Sequence, residues 1–302
     1  MKTAPTKLLA GGNEIDQSPE RFGWLRESND AVGNFEELRR RMDADGYLFI
    51  RDFHPRVEIE AVRTEIMAAF AAEGLLDPTF PIADGRHIPD QNPYFRPDLA
   101  KKNEKLLQVV YGPRMMAFYS GLLGAEAMHY DFTWFRAIGK GGGTMPHCDV
   151  VYMGRGTHQL YTAWVPYGDI PLEVGGLVVV EGSHRWSELD AYRSMDVDTA
   201  CKNVPGNSQT EASGHGFGVY EPKVTDVLEK FDARLLTCEE YRMGDLLTFN
   251  VHLLHGSLDN QQNVIRISSD TRYQLASEPV DERWIGEEPP AHGGSSIREL
   301  IC

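Results

Sequence analysis

The chain has 302 residues, 41% of them hydrophobic and 25% charged, with a formal net charge of −15. The length suits one large domain or two small ones, and the composition is that of a soluble globular protein. The negative balance speaks against a nucleic-acid or anionic-membrane partner, since either selects a basic surface. No apolar run approaches the roughly 20 residues of a membrane-spanning helix. Residues 1–16 mix charges and glycines without an apolar core, so secretion is not expected and a cytoplasmic location is. Cys148, Cys201, Cys238 and Cys302 form no C-x-x-C pair, which fits free thiols in a reducing compartment.

Residues 1–33 show no period and read as a loose N-terminal arm. Asn34 can cap a helix, with Glu37 three residues on and Phe35, Leu38 and Met42 at helical spacing. Asp45-Gly46 ends that helix, and 47–50 reads as a short buried strand. A longer helix runs from about Pro55 to Ala72 on an apolar face that includes Ile59, Val62, Ile66 and Phe70. Residues 74–98 are proline-rich loop, and helical pieces follow over 99–110 and 113–123. From Ala127 the texture changes to short β-like runs between glycine turns: 130–138, 148–153, 160–166, 176–181, 246–251 and 264–274. Such spacing predicts a sandwich, jelly roll or barrel. The polar stretch 185–242 reads as a lid-like insertion with a short helix near 223–231. The chain is thus read as one domain over 1–302: a helical cover at 34–125, a β core at 126–275 and a tail at 276–302 that packs over the outside.

Histidine and carboxylate spacing carries the functional signal. Two histidines and one carboxylate hold non-haem Fe(II) on one face and leave the other face open. The chain has two H-x-D pairs, His129/Asp131 and His147/Asp149, so the motif alone does not decide. Residues i and i+2 of a strand share a face, so either pair can chelate. The 147/149 pair follows the flexible run 139–143 and is placed at a sheet rim, where an open metal position can meet substrate. The third ligand has to come from afar; His255 ends an apolar run before Gly256, whereas His252 lies within it and reads as a core histidine.

The runs 139–184 and 244–273 resemble the phytanoyl-CoA dioxygenase family of Fe(II)/2-oxoglutarate oxygenases. The motifs are HCD at 147–149, AWVPYGD at 163–169, GGLVVVEGSH at 175–184, and GDLLTF followed by His255, Asn260 and Arg266. The resemblance covers roughly 35–275 and implies a double-stranded β-helix, a cupin-like jelly roll flanked by helices. It implies His147, Asp149 and His255 as iron ligands, with Arg266, Ser257 and Trp164 on 2-oxoglutarate. A guanidinium fork suits a carboxylate; Arg272 is a less well spaced substitute. The implied reaction consumes O2 and 2-oxoglutarate, releases succinate and CO2, and hydroxylates an unactivated carbon. Related halogenases leave the carboxylate position empty, so Asp149 favours hydroxylation or a related desaturation or ring closure. Tyr152, Arg155, His158 and Tyr94 are candidate contacts to a small free metabolite. The rival reading is a metal-binding cupin-like isomerase or ligand-binding protein, which has no use for Arg266 and Ser257 together.

Overall fold

The computed structural model describes residues 7–88, 93–202 and 218–292. Its centre is the ten-residue strand Arg266–Leu275, too long to be paired by a single neighbour. It pairs antiparallel with Tyr161–Pro166 on one side, and with Trp134–Ile138 and Ala127–His129 on the other. Leu246–Asn250 and Tyr47–Ile50 extend the sheet beyond Tyr161–Pro166, and Tyr94–Phe95 closes the far edge. A second sheet runs in the order His255–Ser257, Leu177–Val180, Leu235–Thr237 and Phe22–Trp24.

Alternation along Tyr161–Pro166 shows why the two layers form. Ala163 and Val165 face the helices Phe35–Asp45, Arg56–Ala72, Glu104–Tyr111 and Pro113–Leu123, in one core with Leu38, Val62, Phe70 and Tyr119. Trp164 points the other way and packs between the sheets with Leu177, Val179, Leu247 and Phe249. A period of two thus puts apolar residues on both faces, one against helices and one against the second sheet. This is the jelly roll with flanking helices that the sequence predicts.

The helical cover follows its sequence signals closely. The Asn34 side chain accepts from Glu37 N at 3.1 Å and starts Phe35–Asp45. Gly46 ends it at φ +80°, where a Cβ would meet the His184 ring at 2.6 Å, so the turn requires glycine. Among the described residues no helix is long and apolar enough to cross a membrane.

Four expectations are corrected. The arm is not loose: Leu8, Ile15 and Phe22 are buried, and Phe22–Trp24 lies parallel to Leu235–Thr237 as the edge of the second sheet. Short segments with no period of their own were completed by a neighbour's unpaired edge. The stretch 148–153 is not a strand; Val150–Met153 is one helical turn that buries Val150, Val151 and Met153. Tertiary burial there overrides the strand preference of two adjacent valines. The insertion 185–242 does contain the expected helix, at Val224–Lys230, but Leu235–Thr237 belongs to the core sheet and pairs with Leu177–Val180. The middle of that insertion lies outside the described residues. The tail does not merely cover the surface, because Trp284 is buried against Trp134, ring centroids 4.7 Å apart.

One buried histidine of the cover sets a pH dependence. His54 is 1% exposed, with Arg114 Nη1 3.3 Å from its Nδ1. Burial, and then the Arg114 charge, push its imidazole down to about 3. The folded state therefore holds His54 neutral while the unfolded chain takes up a proton near pH 6.5. That contribution is complete above pH 6.5 and is lost as pH falls toward 3, at about 2 kcal/mol by pH 5. We expect the urea midpoint to drop from pH 7 to pH 5, and His54→Asn to flatten the slope by that amount. An unchanged slope in the variant would exclude this histidine as a source.

Candidate metal centre

His147 and His255 are brought together by a backbone bridge. His147 N donates to His255 O at 2.9 Å, and His255 N donates to His147 O at 3.0 Å. The pairing sets the two rings side by side, centroids 4.3 Å apart. Each ring is also oriented through its inner nitrogen: His147 Nδ1 lies 2.8 Å from Met145 O, and His255 Nδ1 lies 3.0 Å from Leu253 O. A carbonyl only accepts, so both Nδ1 atoms carry the proton and both Nε2 lone pairs are free. Burial, followed by the neighbouring His255, pushes the His147 imidazole down to about 3, and burial lowers His255 as well. Both rings are neutral, the form that ligates metal.

Asp149 completes the set from a helix start rather than from a strand. It immediately precedes the turn Val150–Met153, with φ −62° and ψ −28°. Its Oδ1 lies 3.7 Å from His147 Nε2 and 3.9 Å from His255 Nε2. Its Oδ2 accepts from Thr162 Oγ1 at 2.5 Å and pairs with Arg272 at 3.0 Å. Burial alone would push this carboxyl up; the Arg272 guanidinium, helped by the Thr162 hydroxyl, outweighs it and holds Asp149 well below the usual carboxylate range. The three donor atoms lie within 4.8 Å of one another, and all three residues are buried. Two imidazole nitrogens and one carboxylate oxygen fit a divalent non-haem metal bound on one face. Cys148 takes no part: its Sγ donates to His252 O at 3.2 Å.

A cleft opens from the triad, walled by Trp164, Leu177, Ser257, Arg136, Arg266, Asp270 and Arg272. Its charges are not matched evenly. Arg272 meets Asp149, and Arg136 meets Asp270 at 3.2 Å. Arg266 is 4% exposed and has no carboxylate partner among the described residues. It donates from one Nη to Gly175 O, and its Nε has no hydrogen-bond partner. Burial, and then the nearby Arg136, pull its guanidinium down to about 10. A buried cation without a counter-ion is costly, and an anion bound in the cleft offsets that cost. Ser257 Oγ accepts from Thr144 N at 2.8 Å, which leaves its hydroxyl hydrogen for a second partner. Trp164 stacks edge-on against Tyr241, centroids 4.8 Å apart, and forms the wall of the cleft.

The other sequence candidates are more scattered. Tyr152 stands edge-on to the His147 ring, centroids 5.6 Å apart, just outside the cleft. Tyr94 sits on the edge strand beside Ala137 at φ +38°. Arg155 turns away to Asp196 at 2.5 Å and Asp198 at 3.4 Å. His158 Nε2 lies 3.2 Å from Gly154 O, its ring 5.3 Å from His252 rather than at the triad. The second H-x-D pair is apart from both: His129 Nδ1 lies 3.0 Å from Tyr130 O, and its ring stacks on Tyr111 at 4.1 Å. Arg136, Thr162 and Asp270 were missed, although Arg266, Ser268, Asp270 and Arg272 follow the strand period and so share a face.

A buried pair of histidines with one carboxylate, set in a jelly roll beside a cationic cleft, defines the class of non-haem metal oxygenases. The family model for phytanoyl-CoA dioxygenase (PhyH) matches residues 42–268, and the chain belongs to that family. Solved structures share the fold. EctD from S. alaskensis, in its apoform, is 18% identical with a TM-score of 0.58, covering 90% of this chain and 86% of that one. The non-heme alpha ketoglutarate dependent carbocyclase SnoK from nogalamycin biosynthesis is 17% identical with a TM-score of 0.57, covering 81% and 86%. The epimerase SnoN, solved with Fe3+, alpha ketoglutarate and nogalamycin RO, is 17% identical with a TM-score of 0.53, covering 82% and 86%.

Proposed function

We propose that the protein is an Fe(II)/2-oxoglutarate-dependent dioxygenase that hydroxylates an unactivated carbon of a small metabolite. The observation that carries this reading is Arg266: a buried guanidinium with no carboxylate partner among the described residues, in the same cleft as the triad. His147 and His255 would hold the metal through Nε2, and Asp149 through Oδ1, cancelling one of its two charges. Arg266 would take the far carboxylate of 2-oxoglutarate in a bidentate grip, and the Ser257 hydroxyl would donate to the same acid. Trp164 and Leu177 would wall the carbon chain and keep water from the cleft. With iron bound, the centre supplies oxidation of a C–H bond by O2, coupled to conversion of 2-oxoglutarate into succinate and CO2. Tyr152, edge-on to the His147 ring, and Tyr94, on the strand edge beside Ala137, are the residues we assign to substrate; Arg155 and His158 are occupied elsewhere.

The test is succinate release from 2-oxoglutarate by the Fe(II)-loaded protein, first without substrate and then across a metabolite panel. Slow release without substrate, raised by one panel member that gains an oxygen atom, supports the reading. Absence of both 2-oxoglutarate binding and turnover would leave the metal-binding isomerase or ligand-binding alternative.

A further inference from the structure

We propose that Arg272, together with Thr162, is a positioning clamp that commits Asp149 to ligation through a single oxygen; this rests on the reading just given. A carboxylate oxygen offers about two lone-pair directions. On Asp149 Oδ2 both are taken, by Thr162 Oγ1 at 2.5 Å and by Arg272 Nη2 at 3.0 Å. Oδ1 alone faces the two imidazoles. Arg272 is itself held by two further contacts and by burial. Its guanidinium lies 4.5 Å from the centre of the Trp134 ring, its Nε donates to Met153 Sδ at 3.1 Å, and the side chain is 3% exposed. A buried arginine needs a counter-charge, and among the described residues Asp149 is the only carboxylate it pairs with. Neither partner is free to turn.

The consequence concerns how many positions on the metal stay open. A carboxylate that swings to bind through both oxygens occupies a position that a chelating keto acid or O2 needs. The clamp forbids that swing. It acts through Asp149, so it sets how many positions stay open rather than the chemistry done there.

Co(II) serves as the probe, because its visible spectrum reports coordination and its binding is measurable without turnover. Wild type, Arg272→Leu, Arg272→Lys and Thr162→Val would be titrated with Co(II) and then with 2-oxoglutarate, with folding checked by circular dichroism. We expect Arg272→Leu to retain Co(II) but to show a changed spectrum before 2-oxoglutarate is added, with 2-oxoglutarate affinity down at least roughly 10-fold. Thr162→Val should shift both readouts in the same direction by less, and Arg272→Lys should recover part of the loss. Should Arg272→Leu fail to fold, the Thr162→Val spectrum and affinity decide. Folded variants with wild-type spectra and affinities overturn the clamp, as does a folded Arg272→Leu that cannot bind Co(II) at all. Wild type that binds Co(II) but no 2-oxoglutarate overturns the dioxygenase reading and the clamp with it.

Discussion

His147→Ala and Asp149→Ala are each expected to raise the dissociation constant for Fe(II) at least roughly 100-fold and to abolish succinate release, while His129→Ala leaves both unchanged. The basis is geometric. Only His147, Asp149 and His255 form a donor cluster among the described residues. His129 spends its Nδ1 on the Tyr130 carbonyl and stacks on Tyr111, so its loss should cost about 1 kcal/mol of stability and no metal. Metal stoichiometry after dialysis, read beside succinate formation, separates the two. Loss of iron from the His129 variant alone would show that the wrong pair has been chosen. Asp149→Ala has a second consequence, since it strips Arg272 of its counter-charge and should destabilise the apoprotein more than His147→Ala does.

Arg266→Met should part stability from binding. In the apoprotein this guanidinium is a desolvated charge with an unpartnered Nε, so replacing it by an apolar side chain of similar length should leave the melting temperature unchanged or raise it. The affinity for 2-oxoglutarate should fall by roughly 30-fold to several thousand-fold, the range for removing one half of a buried charge pair. Calorimetric titration of 2-oxoglutarate into the metal-loaded variant, beside its apo melting curve, checks both halves. Unaltered affinity would move the carboxylate site elsewhere, with Arg136 the next cation in the cleft.

The sequence told most about features with a local cause. The Asn34 cap, the apolar face of Arg56–Ala72 and the Tyr47–Ile50 strand each follow from neighbours a few residues away. The order of the motifs also put His147, Asp149 and His255 together, and the structure brings their donor atoms within 4.8 Å of one another. What escaped was set by distant partners. The argument that put His147 and Asp149 on one face of a strand chose the pair that the structure brings beside His255, but for a reason the structure does not support, because Asp149 begins a helical turn. Phe22–Trp24 could not be read as a strand from its own residues, since its pairing partner Leu235–Thr237 lies far along the chain. Arg155 and His158 lay close to the motif in sequence but were drawn off by Asp196 and Gly154. The missed cleft residues were legible in principle: charged and hydroxyl side chains at every second position of an otherwise buried strand mark an interior polar face.

The bridge between His147 and His255 also bears on the order of assembly. The two ligands stand about a hundred residues apart, and their juxtaposition closes a loop whose entropy cost is met only once the sheets around it have formed. Neither histidine is expected to recruit the other early, so we expect the metal to bind after the sheets have formed. Both rings are oriented by backbone carbonyls and the carboxylate by Arg272, so the three donors are held in place by the protein's own groups. Chelation should therefore strip the protein to a folded, reloadable shell, and its maturation in the cell becomes a matter of metal supply rather than of folding.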